Sequence, residues 1–414
     1  VINNKETALK KSAHPRVVPV ILCCAVATFP VLSISPAQAL EPHNFQAGPL
    51  YIAPTLENRL GYTDNLLRSE EQEIGTWMNE LSPQVQAWLR EGVNTFSASY
   101  KLADYRYSDS HDDDYTDHTA NLDLHREFNA RHSLDLFGEY YDGHEERGTG
   151  FTDGIGFAVE KPVEYERTTF GGDYNYGSRH SRGAVEVGAR SASYEYQNYR
   201  DFTRWRDRDQ DTLSGTFFWQ VGNRTDALVQ VRYIGNDYDS TSPAELGGSL
   251  DSDEYNYMVG VSWDATAKTT GSVKFGLYER DYDYSGRGDT DGFHWEVEAA
   301  WWPRSYSRLS VATRRRTEET NGLGDAVDTE VLELGWNHEW SGRTTTRLGL
   351  SVANEAYAGT EREDDRLDLE ASCQFALQRW LEVGVGLRHE ARDSNFSVYE
   401  YTRNVYFVQA SLSL

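Results

Sequence analysis

After residue 32 this chain has no long apolar run, proline and methionine are scarce throughout, and cysteine almost vanishes beyond the N-terminal region. Each shortage excludes something. Without an apolar stretch of about 20 residues, no later segment reads as a transmembrane helix. Cys23 and Cys24 lie inside an N-terminal apolar run and leave only Cys373, so neither a disulfide framework nor a cysteine metal site is expected. The bulky Leu22 and Cys23 that precede them do not suit a lipoprotein anchor. Basic charge is also short: 40 Lys and Arg stand against 66 Asp and Glu, a net charge of −26. So acidic a chain repels nucleic acid, and its one basic run, Arg314-Arg315-Arg316, is short. No Walker-type or dinucleotide glycine motif occurs, and no cofactor is expected.

Residues 1–39 read as a cleaved secretory signal. A basic stretch with Lys5, Lys10, Lys11 and Arg16 precedes an apolar run from Val17 to Leu32, and Ala37-Gln38-Ala39 supplies the small-x-small cleavage pattern. Pro19 and Pro30 interrupt that run, which makes it a poor membrane anchor. The segment carries a local +3, so residues 40–414 hold −29 and are read as one domain.

What the chain has is aromatics, glycine and alternation. Tyr 26, Trp 11, Phe 16 and Gly 34 favour pleated strands and turns over helices. In Leu381-Glu382-Val383-Gly384-Val385-Gly386-Leu387-Arg388 every second residue is apolar, the period of a strand. Similar rows recur, such as Val85/Ala87/Leu89, Val229/Val231/Tyr233 and Phe293/Trp295/Val297. With a first strand near Leu50–Glu57 they make about 18 strands, with 16 as the alternative. None of the apolar rows holds a charge, whereas the alternate positions hold Arg90, Lys101, Asp123, Asp135, Arg232, Lys274 and Glu333. Hydrocarbon outside and water inside select that sorting, because a charge on the lipid face costs about 2–4 kcal/mol at the midplane.

Connection lengths alternate as well. Short ones such as Glu91–Asn94, Ser178–Arg182 and Pro303–Tyr306 separate long Asp- and Gly-rich ones such as Ser108–Asp117, Asp142–Glu164 and Gly235–Asp253. The fold class expected is all-β, a transmembrane antiparallel up-and-down barrel with both termini periplasmic. Prolines after Pro83 should fall in connections, since every strand needs its backbone N–H groups.

Two segments carry a resemblance. The last ten residues place Tyr406, Val408, Ala410, Leu412 and Leu414 on one face, which resembles the terminal strand read by the barrel-assembly machinery, with Leu414 in place of the usual aromatic. Near the start, Tyr62, Asp64, Asn65 and Arg68 form a Tyr-x-Asp-Asn-hydrophobic-x-Arg segment after a first strand. That segment resembles the outer-membrane β-barrel porin type 2 family, whose members are often encoded with exopolysaccharide-synthesis genes. The resemblance implies a porin-like channel or accessory for exopolysaccharide export. Its partners would be outer-membrane lipid and lipopolysaccharide, the assembly machinery, polysaccharide and periplasmic export components. Read from the residues alone, Asp64-Asn65 is first a loop-entry turn that bonds nearby backbone.

Candidate ligand positions are the inward aromatics Trp88, Tyr105, Tyr107, Phe137, Tyr141 and Tyr278, as sugar platforms or loop packing, and the inward acids Glu296, Glu298, Asp368 and Glu370. Asp123 and His125, with Ser133 across the hairpin, are the best hydrolase set, but sequence proximity supplies no nucleophile–base geometry, and polar lumen residues are the better reading. No catalytic role is assigned. Asp112-Asp113-Asp114 and Asp207/Asp209/Asp211 lack calcium-loop spacing and read as solvated loops, so no metal is assigned. A diffusion porin or nutrient channel, and a docking barrel plugged by its own loops, are the rival functions.

Overall fold

The computed structural model describes residues 45–177, 181–241, 247–266, 268–320 and 324–413. Residues 1–39, Leu414 and residues 178–180 of the Ser178–Arg182 connection lie outside the described residues.

Apart from a three-residue rim strand, β1 (Phe45–Ala47), the chain winds as 18 long antiparallel strands. These are β2 (Leu50–Thr63), β3 (Thr76–Glu91), β4 (Asn94–Tyr107), β5 (Tyr115–Asn129), β6 (His132–Glu145), β7 (Val163–Tyr176), β8 (Gly183–Tyr196), β9 (Arg208–Gly222) and β10 (Thr225–Tyr238). They continue as β11 (Ser252–Thr266), β12 (Thr269–Tyr282), β13 (Thr290–Arg304), β14 (Ser307–Glu318), β15 (Val327–Ser341), β16 (Thr344–Tyr357), β17 (Glu363–Gln378), β18 (Leu381–Ser394) and β19 (Tyr401–Ser413). Each pairs with its neighbours in sequence, and β19 pairs with β2 through Tyr406↔Tyr62 and Leu412↔Leu56, which closes the barrel. Closure pairs the first and last long strands, the condition for a sheet to cross hydrocarbon.

The wall sorts its side chains as the alternation requires. Phe217, Val229, Val259 and Phe275 form one outward row across β9–β12 through the pairs Phe217↔Val229↔Val259↔Phe275. Aromatics cluster at its two margins: Trp219, Trp301, Trp340 and Trp380 toward the short turns, Trp77, Tyr100, Tyr140 and Tyr406 toward the long loops, all well exposed. They have the placement of interfacial girdles. No helix among the described residues is long and apolar enough to span a membrane.

Proline departs slightly from expectation. Pro303 lies in the closing residues of β13 rather than in the connection after it. Pro54 and Pro83 sit within strands, and pairing between β3 and β4 skips from Leu81↔Asp104 to Gln84↔Lys101, because Pro83 has no N–H to give. The long connections are also shorter than expected, since β6 runs on to Glu145 and β7 begins at Val163.

The interior divides in two along the barrel axis. Toward the turns, inward residues such as Trp88, Ser97, Asp135, Glu186 and Arg347 keep partial solvent contact. Toward the loops the interior is packed like a protein core: Tyr107, Leu66, Leu67, Met78 and Val405 form one buried cluster.

Candidate functional site

The loop end of the lumen is built around ion pairs that residues far apart in sequence contribute. The connection between β6 and β7 folds inward instead of standing clear of the barrel. Its Asp153 accepts from Arg362 Nη2 at 2.6 Å and also bonds Arg392 of β18. Its Glu146 meets Arg68 Nη2 at 2.6 Å and Arg403 Nη1 of β19 at 3.4 Å. Arg68 in turn donates from Nε to Glu390 of β18 at 3.2 Å. Gly148 is a contact point, with φ +78° and with a Cβ there falling 2.0 Å from the Leu67 carbonyl oxygen, so no other residue fits. Phe151 packs edge-on against Tyr196 at 5.0 Å, under the Arg206 guanidinium.

A second network closes the opposite sector. Arg280 of β12 bonds Glu254 at 3.1 Å and Glu319 of the β14–β15 loop at 2.6 Å, and Glu319 accepts from the Tyr238 hydroxyl. Arg287 joins Asp325 and donates to Ser249 O at 2.8 Å. Burial by itself would raise the carboxyls of both loop glutamates. The adjacent arginines outweigh it, holding Glu319 below the usual range and Glu146 at about 2.

Nearer the turns the lumen is charged but wetter. Arg232 Nη1 reaches Glu296 Oε1 at 2.9 Å, three strands away, and Lys274 pairs with the same carboxylate. The span is open because Gly260 and Gly276 present no side chain between them. Arg388 bonds Asp368 and stands 3.0 Å from Glu390, and Glu370 faces Gly349 and Arg388 from β17. Glu298 points inward between Ser272 and Ala312.

The aromatic candidates separate into two groups. Trp88 is near the turns, stacked parallel on Tyr51 with centroids 5.7 Å apart, and Phe137 lies under Arg190. Tyr141 donates to Asp117 at 3.1 Å, and Tyr105 stacks on Tyr115 at 4.5 Å. Tyr107 and Tyr278 are 2% and 5% exposed, so other side chains cover their ring faces. Asp123 bonds Ser97, whereas His125 pairs with Asp135 at 2.6 Å, which separates the members of the hydrolase set. Asp113 is 3% exposed and paired with Arg147, not part of a solvated run.

The Tyr62–Arg68 segment is a clasp. Asn65 is fully buried and donates from Nδ2 to Ser69 O and Thr402 O, both at 2.9 Å. Asp64 accepts from Asn404 N and Asn404 Nδ2, both at 2.7 Å. The local turn expected for Asp64-Asn65 is there, but both residues also reach the last strand. Tyr406, Val408, Ala410 and Leu412 face outward opposite Tyr62, Leu60, Asn58 and Leu56. Sequence reasoning missed Asp153, Glu146, Arg362, Arg392 and Arg403. The available signal was Phe151, an unusual apolar residue for a loop meant to stand in water, which packs on Tyr196.

A closed 18-strand barrel with an apolar exterior, interfacial aromatics and a charged, loop-narrowed lumen defines a porin-type protein of an outer membrane. The chain belongs to the family described as "Putative beta-barrel porin 2", which matches residues 38–414. No curated protein matches it. Among solved structures it is similar to OccK9 (OpdG) of Pseudomonas aeruginosa, at 12% identity, 88% of this chain, 98% of that one and a TM-score of 0.46. It is also similar to a BenF-like porin from Pseudomonas fluorescens Pf-5, at 10% identity, 88% and 99% coverage and a TM-score of 0.46. OpdK of Pseudomonas aeruginosa with vanillate gives 11% identity, 88% and 99% coverage and a TM-score of 0.47.

Proposed function

We propose that this protein is a channel for small hydrophilic solutes in the outer membrane of a Gram-negative bacterium. In this reading both termini are periplasmic, the long loops face outward, and residues 1–39 are removed on export. The observation that carries it is the β6–β7 loop folded into the mouth and pinned by Asp153 and Glu146 to β18, β19 and the β2–β3 loop. A loop held there narrows the mouth and places fixed charges where a solute must shed water. An extended polysaccharide needs a bore clear at both ends, so the exopolysaccharide role that the resemblance implies is the second reading. One feature favours it: the parallel Tyr51–Trp88 pair near the turns, an apolar platform of the kind sugar rings stack on. Lipopolysaccharide and the assembly machinery are the proposed partners in either case.

Swelling of liposomes in sugars of increasing size tests the choice. Mono- and disaccharides are expected to enter and longer oligosaccharides to be excluded. Free passage of long dextrans would favour the polymer reading, and no uptake at all would favour a plugged docking barrel. Mass spectrometry of the outer-membrane form is expected to show cleavage after Ala39.

A further inference from the structure

Most seams of the wall are stitched along their whole height. β11 and β12 pair up to Ser252↔Tyr282, and β15 and β16 up to Val327↔Tyr357. Between β13 and β14 the pairing stops at Trp295↔Arg315. Beyond that point Thr290–His294 remains paired with β12, and Arg316–Glu318 with β15, so two strand edges face each other without a ladder. The last link below the gap is Trp295 Nε1 donating to Thr313 Oγ1 at 3.1 Å. Phe293, outward and 49% exposed, marks the level of the gap as the upper margin of the apolar band. An unpaired edge there is costly in lipid, and closed barrels otherwise avoid it.

Side chains fill the slit. Tyr278 crosses from β12 over Gly292, where a Cβ would meet its ring at 2.8 Å, and stands beside Thr317 of β14. His294 is 2% exposed and bonds Asn256 through Nδ1 at 2.6 Å, which leaves Nε2 buried without a partner. The Thr290 hydroxyl on the β13 edge is buried and unpartnered as well, while Thr317 on the β14 edge has the Tyr278 hydroxyl beside it as its partner. Two partnerless polar atoms, His294 Nε2 and Thr290 Oγ1, thus lie at a slit that the contact of Tyr278 with Thr317 closes.

The outer wall is hollowed on both sides of this seam. One hollow of about 430 Å³ is lined by Tyr257, Leu277, Tyr278 and Gly292 under Glu279 and Asp281. The other, about 570 Å³, is lined by Trp295, Leu332, Val352 and Leu367 under Glu330 and Asp365. Tyr278, 5% exposed, forms part of the wall of the first hollow, so the residue that closes the slit borders the outer face. Apolar floors below carboxylates suit a single-tailed amphiphile with an uncharged or cationic head and repel one that ends in a carboxylate.

We infer that the β13–β14 seam is a lateral port between lumen and membrane, closed in this state by Tyr278, that passes such an amphiphile. The tail slides along the outer hollows while the head uses the partnerless His294 and Thr290 groups, and Thr317 once Tyr278 has left it, as it crosses. Opening requires the Tyr278 ring to rotate away from Thr317, with no ladder to break above Trp295.

The test is a staple in a Cys373→Ser background. His294→Cys with Arg316→Cys lies one step beyond Trp295↔Arg315, where the extended register sets the two opposite each other. Transfer of a fluorescent dodecyl maltoside between the lumen and the surrounding bilayer is followed in proteoliposomes, with KCl conductance measured in parallel. Oxidation is expected to slow transfer at least tenfold and leave conductance unchanged, reduction to restore transfer, and Tyr278→Ala to speed it. A fluorescent dodecanoate should transfer more slowly than the maltoside. Transfer unaffected by either the staple or Tyr278→Ala would overturn the port, as would a parallel loss of conductance, which would put the amphiphile on the axial route. Absence of conductance in the unmodified protein would instead count against the solute channel and leave the port standing.

Discussion

Asp153 is one carboxylate serving two arginines, Arg362 and Arg392, which also share Asp364. Removing one partner of a buried ion pair leaves an uncompensated charge and costs about 3–5 kcal/mol. Asp153→Ala is therefore expected to undock the β6–β7 loop while leaving the barrel folded, read as faster proteolysis of that loop and a larger single-channel conductance. Glu146 gives the same loop a pH dependence. Its carboxyl is held at about 2, against an ordinary value of 4.5, with burial opposed by Arg68 and Arg403. A depressed carboxyl stabilises the docked loop at pH above the ordinary value, and the contribution is lost as pH falls from about 4.5 through 2. Channel noise should rise over that window, and Glu146→Gln should be noisy already at neutral pH. A quiet Glu146→Gln channel would remove Glu146 from the latch.

At the scale of elements, the most exposed commitment is the closing pair, β19 on β2. Leu412 pairs with Leu56 and Ser413 with Thr55, and each unpaired backbone group in hydrocarbon costs several kcal/mol, so partial closure is not a stable option. Deleting Leu412–Leu414 is expected to abolish heat-modifiable migration and surface delivery together. A truncated chain that still reaches the membrane folded would show that the clasp of Asp64 and Asn65 on β19 suffices to close the barrel.

For the whole molecule the decisive quantity is the sign of the field in the lumen. Residues 40–414 carry −29, and the wetter part of the lumen holds Asp123, Asp135, Asp173, Glu186 and Glu298. Several of the basic residues facing them are neutralised in pairs, as Arg232 and Lys274 are by Glu296 and Arg388 is by Asp368. Low-dielectric walls focus such a field, whereas charge in the outer loops is screened beyond about 8 Å at physiological salt. A KCl gradient across a planar bilayer should give a reversal potential of cation-preferring sign. Anion preference would mean that the loop-end arginines, not the lumen acids, set selectivity.

The sequence by itself determined the strands, their number to within about two, the lipid-facing rows and the inward charges. All of these follow from a period of two residues read against a medium that is apolar on one side and wet on the other, a local condition on every strand. Glu296 and Asp368 could be placed inward from that alternation alone. It could not say that Glu296 would take Arg232 from three strands away, or that Tyr278 would close a slit rather than line the lumen. Nor could it show that the Asp142–Glu164 connection would turn inward, with Asp153 meeting arginines more than 200 residues later. Those contacts join segments that only barrel closure brings together. An ion pair between distant loops leaves no periodic trace in the chain, so the wall was legible in the sequence, and the loop latch and the unstitched seam were decided by the tertiary structure.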